Sequence, residues 1–147
     1  MSDADLTARN VARLQDIYRR YASGDRAAVF EALAPAVTWT SIGGAALPWA
    51  GLHRGREGVE RYFAAVDAEV TVMGYEVEQV IAQGEWIAVL ASLTIRANGT
   101  GEEHTLPKAD FVRIVDDRIA DFREFYDTNL TATACAAGRA ALAMPPT

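Results

Sequence analysis

Two acidic residues near the C-terminal end offer the chemistry this chain could perform. Asp110 lies in a run whose alternation puts Leu106, Lys108, Asp110, Val112 and Ile114 on one face of a strand, with Pro107, Ala109, Phe111 and Arg113 on the other. Glu124 shares a face of the next strand with Phe122 and Tyr126, one acid set between two aromatics. The direction of Asp110 depends on the turn at Asp116-Asp117. A two-residue turn places Asp110 beside Arg123 on the outside, as a solvated ion pair of small energetic consequence. A three-residue turn with a bulge shifts the parity by one, with Asp117 taking the left-handed position. Lys108 then faces Glu124, Asp110 faces Phe122, and all four point inward.

In the inward arrangement Lys108 and Glu124 neutralise each other across the strands. Asp110, set among Val112 and Phe122 with no dedicated cation, then suits a proton donor or general acid/base. Trp39 and Tyr126 are candidates to stack on a substrate, with Ser41, Phe122, Tyr18 and His53 as further lining or rim residues. Neither His53 nor His104 has the spacing or partners of a metal ligand, and no phosphate-binding or dinucleotide motif is present, so neither a metal nor another cofactor is expected.

The elements that must position these groups follow from periodicity. Val11, Leu14, Ile17, Tyr18 and Tyr21 recur every three or four residues, the mark of an amphipathic helix. Gly24 is placed to end it, Asp25 to cap a short second helix, and Pro35 to stop that helix. A strand at Val37 to Ser41 leads into a Gly- and Pro-rich stretch, residues 42–55, expected to be irregular. A third helix presents Val59, Tyr62, Phe63 and Val66. From Val70 the period becomes two, with strands expected at about 70–82, 85–97, 103–115 and 118–127. For the Ala-rich tail that ends at Pro145-Pro146, a last helical turn and a disordered end both stay open.

Helices gathered on one face of an antiparallel sheet make an α+β domain, and 147 residues suffice for one such core, here taken as the whole chain 1–147 with a tail from residue 128. A net charge of −6 without any basic run argues against nucleic acid and against an anionic membrane surface. No leader-like or membrane-spanning segment is legible, and the lone Cys135 has no disulfide partner in the chain, so a cytoplasmic location is the expectation. Residues 86–95 are apolar on both faces. Helices can cover one face; a second copy of the chain is the expected cover for the other, which predicts a homodimer, with the C-terminal tail as the alternative cover.

Five short motifs in this order resemble the SnoaL-like branch of the nuclear transport factor 2-like superfamily, which includes ketosteroid isomerases, polyketide cyclases and limonene epoxide hydrolase. They are Tyr21-Ala-Ser-Gly-Asp25, Val37-Thr-Trp-Thr40, Gly55-Arg-Glu-Gly-Val59, Asp110-Phe-Val-Arg-Ile114 and Ile119-Ala-Asp-Phe-Arg-Glu-Phe-Tyr-Asp127. The resemblance implies a cone of three N-terminal helices on a curved antiparallel sheet of cystatin-like topology, and it favours the inward Asp110. It places the isomerases' oxyanion-hole aspartate on Asp110, their general base on Ser41 and their helix-1 tyrosine on Ile17, beside Tyr18. It places the epoxide hydrolases' strand residues on Trp39, Ser41, Ala91 and Leu93, and their last-strand aspartate on Glu124. Neither standard set is complete.

The functional expectation is therefore a small-molecule enzyme, of isomerase, cyclase or hydratase type, acting without a cofactor on an apolar carbonyl-containing or polycyclic substrate. Asp110 and Glu124 are its candidate catalytic residues. The alternatives are a non-catalytic binding protein that holds a small apolar ligand in the same cone, and an interaction module that uses the outer sheet face.

Overall fold

The computed structural model describes residues 1–145; Pro146, where the tail was expected to stop, lies outside them. Its elements run α1 (Asp3–Ala22), α2 (Ala27–Ala32), β1 (Leu33–Ser41), β2 (Gly51–Arg54), α3 (Gly55–Glu69), β3 (Val70–Gln83), β4 (Trp86–Ala97), β5 (Glu103–Val115), β6 (Arg118–Tyr126) and α4 (Thr128–Ala143). The six strands form one sheet in the order β2-β1-β6-β5-β4-β3.

The sheet is mixed rather than antiparallel, because β1 pairs with β6 in parallel. No hairpin joins these two strands, so nothing local imposes the antiparallel sense. Two helices precede β1 and the third follows the glycine-rich stretch, the order read from the sequence; the difference from a count of three is a fourth helix, α4, in the tail. Within the stretch expected to be irregular, residues 51–54 pair with β1 as the short edge strand β2. Pro35 does not merely end α2. It lies inside β1 at a register irregularity between Leu33 and Thr38, where its missing N–H costs no ladder bond. Asp25 does not cap α2; its carboxylate pairs with Arg20 at 2.8 Å.

Helix α1 is fastened to the sheet through two hairpin turns. Its start is closed by a Ser2–Asp5 capping box. Asn10 is buried and donates to the Gly84 carbonyl at 3.1 Å, and the Gly84 N–H donates to Thr7, both at the β3–β4 turn. Arg9 grips the Asp117 carboxylate and Arg13 donates to the Asp117 carbonyl, at the β5–β6 turn. These clamps fix the helix rotation, so that Leu14 and Ile17 enter the core and Tyr18 lies over the sheet.

The β5–β6 turn decides which way Asp110 points, and neither sequence reading of it describes the fold. Val115 pairs with Arg118, so the loop has two residues, and both Asp116 (φ 49°) and Asp117 (φ 64°) are left-handed, as this tight hairpin turn requires. Further along, Arg113 pairs with Asp121 while Ile114 pairs with Ile119, so Ala120 is an extra residue on β6. This bulge lets Ile119 and Phe122 both face inward and reverses the parity set by the turn. Asp110 is consequently opposite Glu124, Val112 opposite Phe122, and Lys108 opposite Tyr126. The inward direction agrees with the expectation; the cross-strand partners are shifted by two.

Helix α4 packs through Thr131, Ala134, Cys135 and Gly138. Gly138 meets the β4–β5 turn so closely that a Cβ on Gly99 would stand 1.8 Å from the Gly138 carbonyl oxygen, an approach only glycine permits. Among the described residues no helix is long and apolar enough to cross a membrane.

Candidate functional site

At the centre of the concave face lies a charged cluster with almost no contact with solvent. Lys108, Asp110 and Glu124 are 8 %, 1 % and 3 % exposed. The Lys108 ammonium stands 3.0 Å from Asp110 Oδ1 and 3.2 Å from Glu124 Oε1, and it donates to the Tyr75 hydroxyl at 3.1 Å. The expectation that Asp110 lacks a dedicated cation is therefore corrected: one ammonium serves both carboxylates. Three tyrosines complete the network. Tyr18 on α1 (2.5 Å) and Tyr75 on β3 both donate to Asp110 Oδ2, while Tyr62 on α3 donates to Glu124 Oε2.

The two oxygens of Asp110 differ. Oδ2 holds two phenol donors, whereas Oδ1 has the ion-pair contact but no hydrogen-bond donor. The phenols thus anchor one oxygen, and the ion pair with Lys108 meets the other. Asp110 lines a cavity of about 70 Å³ together with Tyr18, Tyr75, Lys108, Trp39 and Phe122. The Trp39 indole N–H, buried in that wall, has no acceptor among the described residues. Such a donor is costly to leave unpaired unless something else supplies the acceptor.

Trp39 and Phe122 are stacked on each other, with centroids 3.8 Å apart and an interplanar angle of 18°. One face of the indole is thus already covered. Tyr126 belongs to a neighbouring cavity of about 60 Å³, where it accepts from Trp49 Nε1 at 2.7 Å; Lys108 and Glu124 also line that space. Ser41 is buried beside Glu124 in the β1–β6 register, its hydroxyl has no hydrogen-bond partner among the described residues, and it lines neither cavity. His53, expected at the rim within an irregular stretch, lines neither cavity. It sits in β2 opposite Trp39, with Nε2 2.7 Å from the Trp49 carbonyl oxygen.

Tyr62 and Tyr75 escaped the sequence reading. Tyr62 sits on the apolar face of α3, where periodicity marks it as packing. Tyr75 lies between two register irregularities of β3, at Val72/Gly74 and Val77/Gln79, so alternation cannot say which way it points. Tyr18 was legible, and it supplies to Asp110 the helix hydroxyl that Ile17 lacks.

Burial and the charge of the cluster give the site a definite response to alkali. Burial, followed by the Asp110 charge, holds the Tyr18 phenol well above its ordinary range; burial, followed by Glu124, does the same for Tyr62. Burial also raises Tyr75 and Tyr21, and pushes Tyr126 up to about 12. Burial alone would lower Lys108, but Asp110, Tyr75 and Glu124 outweigh it and hold the ammonium well above the usual lysine range. In every case the folded value exceeds the unfolded one. The stabilisation is therefore complete below about pH 10 and is lost as pH rises toward the folded values, by up to ~1.4 kcal/mol per pH unit for each group. Urea midpoints should hold steady to about pH 9 and fall steeply above about pH 10. Near-ultraviolet tyrosinate absorbance should appear together with unfolding. Tyrosinate signal near pH 10 from the folded protein would show that the phenols are not held as described.

Several solved structures share this architecture. An NTF2-like protein of unknown function from Burkholderia pseudomallei superposes with a TM-score of 0.79 at 25 % identity, over 92 % of this chain and 98 % of that one. A candidate isomerase from Rhodopseudomonas palustris gives 0.70 at 19 % identity, over 88 % and 97 %. A candidate SnoaL-like polyketide cyclase from Mesorhizobium loti gives 0.64 at 19 % identity, over 86 % and 100 %. No curated protein matches the chain. The SnoaL-like domain model matches residues 14–122, from the core of α1 to the Phe122 wall of the cavity. The chain belongs to the SnoaL-like domain family.

Proposed function

We propose that this domain is an enzyme of cofactor-free proton transfer, acting on the carbon next to a carbonyl group, with Asp110 as the group that exchanges the proton. The carrying observation is the asymmetry of the Asp110 carboxylate in the cavity lining: two phenols donate to Oδ2, while Oδ1 has the Lys108 ammonium at 3.0 Å and no hydrogen bond among the described residues. Oδ1 takes the proton from the α-carbon, and the C–H electron pair becomes the C=C of an enolate. The carbonyl π pair moves onto oxygen, where the unpaired Trp39 N–H or a phenol released from Asp110 donates to it. Return of the proton to the same carbon gives exchange; return to another carbon gives isomerisation. Lys108 keeps Glu124 as its counterion throughout, so protonating Asp110 strands no lone cation. An acid/base isomerase or cyclase also accords with the family, whose scaffold hosts several such reactions.

Proton nuclear magnetic resonance of methyl ethyl ketone in heavy water tests this directly. The protein should accelerate deuterium uptake at the α-carbons well beyond the buffer rate; uptake at the buffer rate with bound ketone would leave the alternative reading, a binding protein without catalysis. One observation favours that alternative: each Lys108 contact is already made within the cluster, as in a structural polar network.

The proposal includes a homodimer formed through the outer sheet face. Trp86, Leu90, Phe111 and Phe125 remain 39–43 % exposed there, and Phe111 and Phe125 pack edge to face. Sedimentation equilibrium should show a dimer that Phe111→Glu converts to monomer; a monomeric wild-type chain at high concentration would remove this part.

A further inference from the structure

The cavity at Asp110 is too small for a substrate of useful size. Its volume of about 70 Å³ is roughly half of the ~150 Å³ that accommodates a benzene ring. Directly behind its wall lies a second concavity, a groove of about 480 Å³ between α1 and the edge strand β3. Leu14, Tyr18 and Tyr75 line both spaces. The partition between them is therefore one leucine and the two tyrosines whose hydroxyls anchor Asp110.

The groove has its own chemistry. Val11, Val77, Val80 and Val89 give it an apolar floor, with Gln15, Arg19 and Glu76 as polar residues of its lining. Val77 is left 39 % exposed. Two bulges in β3 flank this region, and bulges bend a strand and increase its twist, so α1 crosses an irregular edge instead of a flat one. Neither tyrosine is fixed by anything stronger than its hydrogen bonds and ring contacts, and their centroids are 5.5 Å apart.

We propose that this groove is the subsite for the apolar body of the substrate, an unbranched aliphatic carbonyl compound whose carbonyl end passes between Tyr18 and Tyr75 to reach Asp110. The assignment rests on the proton-transfer reading and adds a substrate class to it. The small inner cavity takes only the carbonyl and its α-carbons. The chain lies along the valines, and the two phenols form the doorway, exchanging Asp110 for the carbonyl oxygen as hydrogen-bond acceptor.

A series of methyl ketones from methyl ethyl to methyl heptyl ketone tests the assignment by calorimetric titration. Affinity should climb about threefold to fourfold with each added methylene, as expected for burial of one CH₂. Val77→Trp and Gln15→Trp fill the groove from opposite sides at exposed positions, where folding is not at risk. Each should abolish the climb. Met73→Trp, in the adjacent depression along β3, should leave the climb intact. A climb that survives both groove-filling variants overturns the subsite, and so does a series in which no ketone binds. A groove-dependent climb without α-deuteration upholds the subsite and overturns the proton-transfer reading instead.

Discussion

Replacing Lys108 with methionine should lower the unfolding free energy by about 3–5 kcal/mol at neutral pH. The methionine fills much of the same space, so packing is a minor part of the loss. The main part is electrostatic: Asp110 and Glu124 stand opposite each other on β5 and β6, both buried, and the ammonium between them is the cation that each contacts. Removing it leaves two like charges in a site with little solvent to screen them. For a domain whose total stability is of the order of 5–15 kcal/mol, the loss is a large fraction. The decisive comparison is the triple variant Lys108→Met, Asp110→Asn, Glu124→Gln. It carries no charge in the site, and its amide oxygens can still accept from Tyr18, Tyr75 and Tyr62, so most of the stability should return. Urea denaturation of the two variants and wild type measures both effects. A single-variant loss below about 1 kcal/mol, the size of an exposed ion pair, would mean that the cluster is solvated and the proposed site is open to water.

The inward direction of these groups was legible in the sequence, but the route to it was not. Strand alternation places Lys108 and Asp110 on one face with certainty, because that property is local. Which face depends on the whole path from Val115 to Phe122. There the chain uses both a tight two-residue turn and a single extra residue at Ala120. Nothing in Ile119-Ala120-Asp121 distinguishes a bulge from regular strand, since all three residues are compatible with either. The same limit hid Tyr75 behind the two irregularities of β3. Helix faces fared better: Leu14, Ile17, Val59, Tyr62 and Phe63 are buried as their spacing requires. Helix α4 was left open because alanine, small on every side, gives little amphipathic contrast to mark a buried face. The strand β2 was missed for another reason: a four-residue edge strand within a glycine-rich stretch has too few side chains to show a period.

Asp110→Asn should slow α-deuteration by about 10²–10⁴-fold, the range associated with loss of a general acid/base group, while ketone affinity changes little. Asparagine preserves shape, and its amide oxygen can occupy the Oδ2 position and accept from Tyr18 and Tyr75. Its amide nitrogen then stands where Oδ1 stood, a position with no basicity for carbon-bound hydrogen and an unfavourable one beside the Lys108 ammonium. Some stability, about 1–3 kcal/mol, should be lost for that reason, so rates must be compared well below the unfolding transition. Tyr18→Phe and Tyr75→Phe separate anchoring from proton exchange. Each removes one of two donors to the same oxygen, so each should cost less than Asp110→Asn. The two together should cost more than the product of the single effects, because Oδ2 then keeps neither phenol donor. Glu124→Gln leaves Asp110 with its cation and its two phenol donors, and should retain more exchange than Asp110→Asn does. If Glu124→Gln proves the slower of the two, the proton passes through the other carboxylate, and Asp110 is there to hold the ammonium.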